Sequence, residues 1–126
     1  MKQKIAILGA GNLGLSLVKG LVESGEYLPN EFHLSRRRVE KLNQFKKKGY
    51  HVTDNNITAT LNANIIILAV LPQKINAVLN EIKESIKENQ LIISLVSGVT
   101  IAEIKEIIGN NTPIAVSYTH LRAHET

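Results

Sequence analysis

Short apolar runs alternate with amphipathic helical stripes along most of this 126-residue chain. The runs that we predict as strands cover residues 4–8, 31–34, 50–52, 64–70, 91–96 and 113–116. The predicted helices cover residues 12–24 and 37–48, a segment from Pro72 to Ile86, and one from a Thr100/Glu103 capping box to Gly109. Strands that alternate with helices form βαβ units, so we predict an α/β fold with a doubly wound parallel sheet and helices on both faces.

Composition narrows the class of protein. Apolar residues make up 44% of the chain and charged residues 21%, which is typical of one folded domain, predicted here over residues 1–116. Cysteine is absent, which excludes disulfides, thiolate metal sites and a cysteine nucleophile, and which fits a cytoplasmic location. No run approaches the ~18 apolar residues of a membrane span. Because aromatics are scarce beside the arginines at 36–38 and the lysines at 46–48, we expect no nucleic-acid partner.

A G-x-G-x-x-G motif follows the first predicted strand and opens the first predicted helix. In that context the motif indicates a Rossmann-type dinucleotide-binding turn, in which the helix N-terminus faces the pyrophosphate. The alternative is a glycine-rich turn without a ligand. The residues that we predict to contact the cofactor at this turn are Leu8, Gly9, Ala10, Gly11, Asn12, Leu13 and Gly14.

The end of the second strand indicates which cofactor is bound. NAD-preferring sites usually carry an acidic residue there, which accepts hydrogen bonds from the ribose 2′-hydroxyl. This chain has Ser35, Arg36 and Arg37 instead, and a hydroxyl and guanidinium groups suit a 2′-phosphate. We therefore predict NADP(H), with Ser35 and Arg36 as main contacts and Arg37 in support. The alternative is that these arginines are only solvated.

Four blocks of the sequence together resemble the pyrroline-5-carboxylate reductase family over residues 3 to about 116. They read KIAILGAGNLG, LSRRRVEKL, LAVLPQ and LIISLVSGVTIAEI. The third block departs from the family's AVKPQ, because Leu71 stands where the family has lysine. Similar paralogues, including competence-associated reductase-like proteins and F420-dependent NADP oxidoreductases, remain alternatives.

The resemblance implies further cofactor contacts. The loops after the fourth and fifth strands would line the nicotinamide half, and Asn56 would lie near the adenosine side. The loop residues implied in this way are Ala69, Val70, Leu71 and Pro72 after the fourth strand, and Leu95, Val96 and Ser97 after the fifth.

The same resemblance implies an oxidoreductase that reduces 1-pyrroline-5-carboxylate to L-proline with NADPH, a step of proline biosynthesis. It also implies a C-terminal helical domain that forms the homo-oligomer and most of the imine pocket, which this sequence lacks. We find no general acid and no metal site in residues 1–116, and we interpret His33 and His51 as structural. We expect such a fragment to bind cofactor weakly or not at all and not to turn over. A non-catalytic NADP-binding regulatory module is a further alternative.

The last ten residues, 117–126, lack apolar periodicity and contain His120 and His124. We interpret them as a non-native tail that replaces the natural continuation. A metal site built from these two histidines is an alternative that the spacing alone does not support.

Overall fold

The computed structural model describes residues 3–116, which form one six-stranded parallel sheet in the order β3-β2-β1-β4-β5-β6. The strands are β1 (Ile5–Leu8), β2 (Phe32–Ser35), β3 (His51–Thr53), β4 (Ile65–Leu68), β5 (Leu91–Ser94) and β6 (Ile114–Val116). Every neighbouring pair is parallel, and β1 pairs with both β2 and β4. The strand order reverses between β1 and β4, which is the topological switch point of a doubly wound sheet. The predicted fold class is confirmed.

Five α-helices connect the strands of the described region. They are α1 (Asn12–Glu23), α2 (Asn43–Lys47), α3 (Asn56–Leu61), α4 (Ile75–Ile82) and α5 (Ile101–Ile108). Short 3₁₀ turns cover Pro29–Glu31, Val39–Leu42, Pro72–Lys74 and Lys83–Ser85. No helix within residues 3–116 has the length and apolar character that crossing a bilayer would require.

Two apolar clusters cover the two faces of the sheet, as alternation along β1 requires. Ala6 and Leu8 point into the cluster formed with α3, α4 and α5, whereas Ile5 and Ile7 point into the cluster formed with α1 and α2. All four β1 side chains are buried because both faces of a central parallel strand are covered. The carboxyl end of β1 is thereby fixed between two packed layers.

The segment 37–48 differs from its prediction as one helix. It forms a 3₁₀ turn at Val39–Leu42 and then the short helix α2. Its apolar residues Val39, Leu42 and Phe45 are spaced by three, which matches the three residues per turn of a 3₁₀ helix better than 3.6. The spacing therefore predicts a helical segment correctly, but its first turn is 3₁₀ and only Asn43–Lys47 is α-helical.

Other boundaries also shift. Both β2 and β3 begin one residue later than predicted, and the long apolar runs 64–70 and 91–96 pair over only four residues each before they enter loops. The helix predicted from Pro72 to Ile86 has its α-helical part at Ile75–Ile82, between two 3₁₀ turns. The capping box is confirmed: Thr100 Oγ1 accepts from Glu103 N at 3.1 Å, and Glu103 Oε1 accepts from Thr100 N at 3.4 Å.

Helix α3 was not predicted. It has six residues and no apolar stripe long enough to show a period. The one local sequence feature that indicates the start of this helix is Asn55, an N-cap residue whose side-chain oxygen accepts from the backbone N–H groups of Ile57 and Thr58. The proposed non-native tail, with His120 and His124, lies outside the described residues.

Candidate functional site

The glycine motif forms the tight turn between β1 and α1, at the carboxyl end of the central strand. The backbone N–H groups of Gly9 and Ala10 donate to the Ser35 carbonyl at 3.0 and 2.8 Å, which ties the turn to the end of β2. Gly9 has φ +83°, and a Cβ built there would lie 2.6 Å from Val70 Cγ1 and 3.0 Å from Val70 Cα. Glycine is thus required both by the backbone conformation and by the close approach of the β4 loop.

The first turn of α1 offers donors to a ligand. Leu15 N donates to Gly11 O at 2.9 Å, but among the hydrogen bonds of residues 3–116 none uses the backbone N–H of Asn12, Leu13 or Gly14. These are the donors that an α-helix leaves unpaired at its N-terminus, and the helix dipole adds a partial positive charge there. The first turn carries no acidic residue. Such a helix end suits phosphate oxygens.

Gly14 brings α1 close to the sheet. A Cβ built on Gly14 would lie 2.8 Å from Ile7 Cγ2 and 3.4 Å from Ala69 Cβ. A Cβ on Gly11 would meet only Gly9 O at 3.9 Å, so the space above that residue is open. Two glycines of the motif therefore serve packing, and the third leaves room for a ligand to reach the backbone.

The end of β2 places the predicted 2′-phosphate residues beside this turn. Arg36 is half-buried and its Nη1 donates to Ala10 O at 3.4 Å, so its guanidinium reaches the glycine turn. Arg37 is exposed. Ser35 is only 1% exposed, and its hydroxyl donates to Asn56 Oδ1 at 2.5 Å. The arginines are open to a phosphate, whereas the Ser35 proton is already committed inside the protein.

Asn56, the first residue of α3, joins this group, and the structure adds a residue that the sequence did not indicate. The Asn56 Nδ2 amide donates to Glu81 Oε1 at 2.9 Å, and Glu81 lies on α4. Ser35, Asn56 and Glu81 thus form one hydrogen-bonded chain across three elements. Glu81 was missed because nothing in its local sequence distinguishes it from other helix-surface glutamates.

The residues after β4 lie at the same edge of the sheet. Ala69 N donates to Leu8 O at 2.9 Å. Ala69 and Val70 are half-buried, whereas Leu71, which is 61% exposed, and Pro72 lie at the surface. Leu8 itself is fully buried, so its side chain lies in the core and not at the surface of the turn.

The loop after β5 is divided between core and surface. Leu95 N donates to Leu68 O at 2.9 Å, and Leu95 is half-buried. Val96 is 4% exposed, belongs to the core, and donates its N–H to Ser94 Oγ at 3.2 Å. Ser97 is exposed. The structure therefore places Ser97 and the Leu95 backbone at the carboxyl edge of the sheet and keeps the Val96 side chain in the core.

The two histidines of the described region lie apart from this edge, on neighbouring strands. His33 pairs with His51 in the sheet register, and their rings stack with centroids 4.5 Å apart and planes inclined by 8°. Burial, and then the positive charges of His51 and Lys4, lower the pKa of His33 from 6.5 to about 4. Within residues 3–116 no group of three metal-ligating side chains comes together.

A cavity of about 500 Å³ lies at the opposite, amino-terminal edge of the sheet, where Lys4, Asn64, Lys87 and Gln90 line it. Ligands of open α/β sheets bind outside the carboxyl ends of the strands, so the position of this cavity does not match a dinucleotide site. The shallow surface above the glycine turn matches that rule, and we take it as the candidate site.

Comparisons with known proteins agree with this geometry. The chain is 39% identical over 110 residues to pyrroline-5-carboxylate reductase 1 of Dictyostelium discoideum, covering 87% of this chain and 20% of that protein. It is 40% identical over 104 residues to pyrroline-5-carboxylate reductase 2 of the same organism, covering 82% of this chain and 35% of that protein. The solved pyrroline-5-carboxylate reductase of Coxiella burnetii superposes with a TM-score of 0.84 at 35% identity, covering 92% of this chain and 43% of that one.

The chain spans a fifth to about two fifths of the length of these relatives. A family model described as NADP oxidoreductase, coenzyme F420-dependent, matches residues 4–98, which is well over half of the chain. The match includes the glycine turn, the arginines after β2 and the loop after β4. The chain belongs to this NADP oxidoreductase family.

Proposed function

We propose that this chain is the cofactor-binding part of an NADPH-dependent reductase that converts 1-pyrroline-5-carboxylate to L-proline. The observation that carries the proposal is the turn between β1 and α1. Three backbone N–H groups that have no hydrogen-bond partner within residues 3–116 lie there at the carboxyl edge of the sheet, beside Arg36. The names of the similar proteins supply the substrate class.

The residues of the chain would bind and orient the cofactor. The N–H groups of Asn12, Leu13 and Gly14 would hold the pyrophosphate at the positive end of α1. Arg36, with the exposed Arg37 in support, would bind the 2′-phosphate through planar, charge-assisted hydrogen bonds. The backbone of Ala69, Leu71 and Leu95 and the exposed Ser97 would border the nicotinamide.

When bound, the cofactor supplies a hydride from nicotinamide C4 to the C=N carbon of the imine. The contribution of this chain is to hold nicotinamide C4 at a fixed place at the carboxyl edge of the sheet, since orientation accounts for much of the rate in a hydride transfer. We name no proton donor in residues 3–116. We further propose that the intact enzyme is a cytoplasmic homo-oligomer whose imine pocket includes a second domain.

The test of the cofactor claim compares Arg36→Ala with Arg38→Ala. Arg38 is exposed, carries the same charge and is not a predicted contact. We expect Arg36→Ala to weaken NADPH binding by about 10- to 100-fold, the worth of a charged hydrogen bond, with little effect on NADH. Arg38→Ala should change both affinities less than about threefold. An equal loss for both cofactors with Arg36→Ala would refute the 2′-phosphate assignment.

The test of the reaction uses the intact protein that carries this chain. Proline formation with consumption of NADPH, given 1-pyrroline-5-carboxylate, is the expected result. A protein that binds NADPH but does not reduce the imine would refute the substrate assignment.

The description of the matching family favours one second candidate, an F420-dependent NADP oxidoreductase. Exchange of hydride between NADP(H) and the deazaflavin, in the absence of imine, would identify that candidate instead.

A further inference from the structure

The hydrogen-bonded chain Ser35–Asn56–Glu81 fixes which groups carry protons beside the adenosine end of the candidate site. Glu81 is an exposed carboxylate on α4, and an ionised carboxylate can only accept hydrogen bonds. Asn56 donates to it through Nδ2 at 2.9 Å. The amide of Asn56 must then present its oxygen on the other side, toward Ser35. The orientation of one side-chain amide is thus set by a carboxylate on another element.

The consequence falls on Ser35. Its hydroxyl has one proton, and that proton is donated to Asn56 Oδ1. With its proton committed, Ser35 Oγ can offer only lone pairs to a ligand. Ser35 is also only 1% exposed, so a ligand cannot touch the hydroxyl in this arrangement of the side chains. Ser35 is therefore closed both by burial and by the direction of its hydrogen bond.

A 2′-phosphate and a 2′-hydroxyl respond to this arrangement in opposite ways. The oxygens of a phosphate dianion accept hydrogen bonds, so a serine without a free proton gives them nothing. A ribose hydroxyl can donate to a serine lone pair. The hydrogen bonds from Ser35 to Asn56 and from Asn56 to Glu81 therefore disfavour binding of the 2′-phosphate of NADPH, whereas Arg36 favours it. The carboxylate of Glu81 adds a negative charge on the same side.

We propose that Glu81, acting through Asn56, sets the selectivity between NADPH and NADH by withholding the Ser35 proton from the 2′-phosphate. Glu81 is a positioning residue, since it would touch neither cofactor. The proposal rests on the cofactor site proposed above. Without the Glu81 carboxylate, the Asn56 amide is free to turn or to move aside, and the Ser35 hydroxyl or the N–H that Asn56 now donates to Glu81 can then be donated to the phosphate instead.

The test replaces the acceptor while keeping side-chain length and helix propensity. Glu81→Met removes the carboxylate. Glu84→Met makes the same change in charge and size at an exposed residue one turn along, in the 3₁₀ segment after α4. Within residues 3–116 the Asn56 amide donates to Glu81 and not to Glu84. Glu81→Gln removes the charge but keeps an acceptor. The dissociation constants of NADPH and NADH are measured in the intact protein that carries this chain, for each variant and for the parent.

We expect Glu81→Met to raise the preference for NADPH over NADH by about tenfold, since one hydrogen bond to a charged group is worth about that factor. Glu84→Met should change the ratio less than about twofold, and Glu81→Gln should lie between the two. A ratio of the two affinities that Glu81→Met leaves unchanged would overturn the proposal. An equal rise of that ratio in Glu84→Met would also overturn it, because it would show that removing any nearby negative charge has the same effect.

A second measurement needs no cofactor. The side-chain amide resonances of Asn56 should shift in Glu81→Met and stay in place in Glu84→Met; unmoved resonances in both variants would overturn the hydrogen-bonded chain itself. If the intact protein that carries this chain bound neither nucleotide, the proposed function would fail and the selectivity role with it. Binding of both nucleotides with an unaltered ratio would refute only the role of Glu81.

Discussion

Gly9 and Gly25 offer a matched pair that separates backbone strain from steric crowding. Both have nearly the same positive φ, +83° and +84°, and they flank the same helix, α1. A Cβ on Gly25 meets nothing within 4 Å, whereas one on Gly9 would lie 2.6 Å from Val70 Cγ1 and 3.0 Å from both Val70 Cα and N. The side-chain contact can relax by rotation of Val70, but the two backbone contacts cannot.

The expected costs follow from these distances. A left-handed backbone costs a residue with a Cβ roughly 1–2 kcal/mol, and this applies to Gly9→Ala and Gly25→Ala alike. Alanine also reduces the entropy of the unfolded chain equally in both variants, so that effect cancels in the comparison. Crowding against the Val70 backbone adds roughly 1–3 kcal/mol for Gly9→Ala alone. We therefore expect a total of about 2–5 kcal/mol for Gly9→Ala against about 1–2 kcal/mol for Gly25→Ala.

Urea denaturation followed by circular dichroism measures both losses without any cofactor. The slope of the free energy of unfolding with urea should be the same in the parent and both variants, so the midpoints report stability directly. Equal losses within about 0.5 kcal/mol would refute the close contact between the glycine turn and the loop after β4. That contact brings the loop after β4 to the glycine turn.

Three further predictions test other parts of the fold. Because the pKa of His33 is lowered from 6.5 to about 4, the unfolded chain takes up a proton before the folded protein does, so stability is complete above pH 6.5 and falls between pH 6.5 and 4. At this half-buried ring we expect a loss of about 1–2 kcal/mol after solvent screening. Denaturation measured across this pH range should show the loss in the parent protein and not in His33→Gln. Thr60 Oγ1 is buried without a hydrogen-bond partner in the described region, so Thr60→Val should be neutral or stabilise by up to about 1 kcal/mol in urea melts, and a clear destabilisation would show a hidden partner. Thr100→Ala should cost about 1 kcal/mol through loss of the α5 cap, and an unchanged midpoint would contradict the capping box.

Local sequence signals predicted the parts of the fold whose causes are local. The short apolar runs predicted the central strands β1, β4 and β5, and Thr100 with Glu103 predicted the start of α5, because periodicity and capping act over a few residues. The glycine turn was predictable for the same reason: Gly9 and Gly14 are required by contacts that form wherever a strand enters a helix in this way.

The parts that were not predicted depend on contacts between distant elements or on very short ones. Helix α3 is too short to show a period, and only its Asn55 cap could have indicated it. The hydrogen bonds from Ser35 to Asn56 and from Asn56 to Glu81 join residues 21 and 25 positions apart on three elements. Nothing in the sequence near Ser35 shows that its hydroxyl proton is already donated. The arginines after β2 could be identified from sequence, but the state of the serine beside them could not.

The most direct test of the central claim, which is that the βα turn and the end of β2 hold the phosphates, is to follow backbone amide resonances of the intact protein that carries this chain during a titration with NADPH. We expect saturable shifts that are largest at the backbone N–H groups of Asn12, Leu13 and Gly14 and at Arg36. NADH should move the first three and leave Arg36 nearly unchanged. Shifts that saturate instead around Lys4 and Asn64, at the amino-terminal edge of the sheet, with the turn unmoved, would contradict the claim.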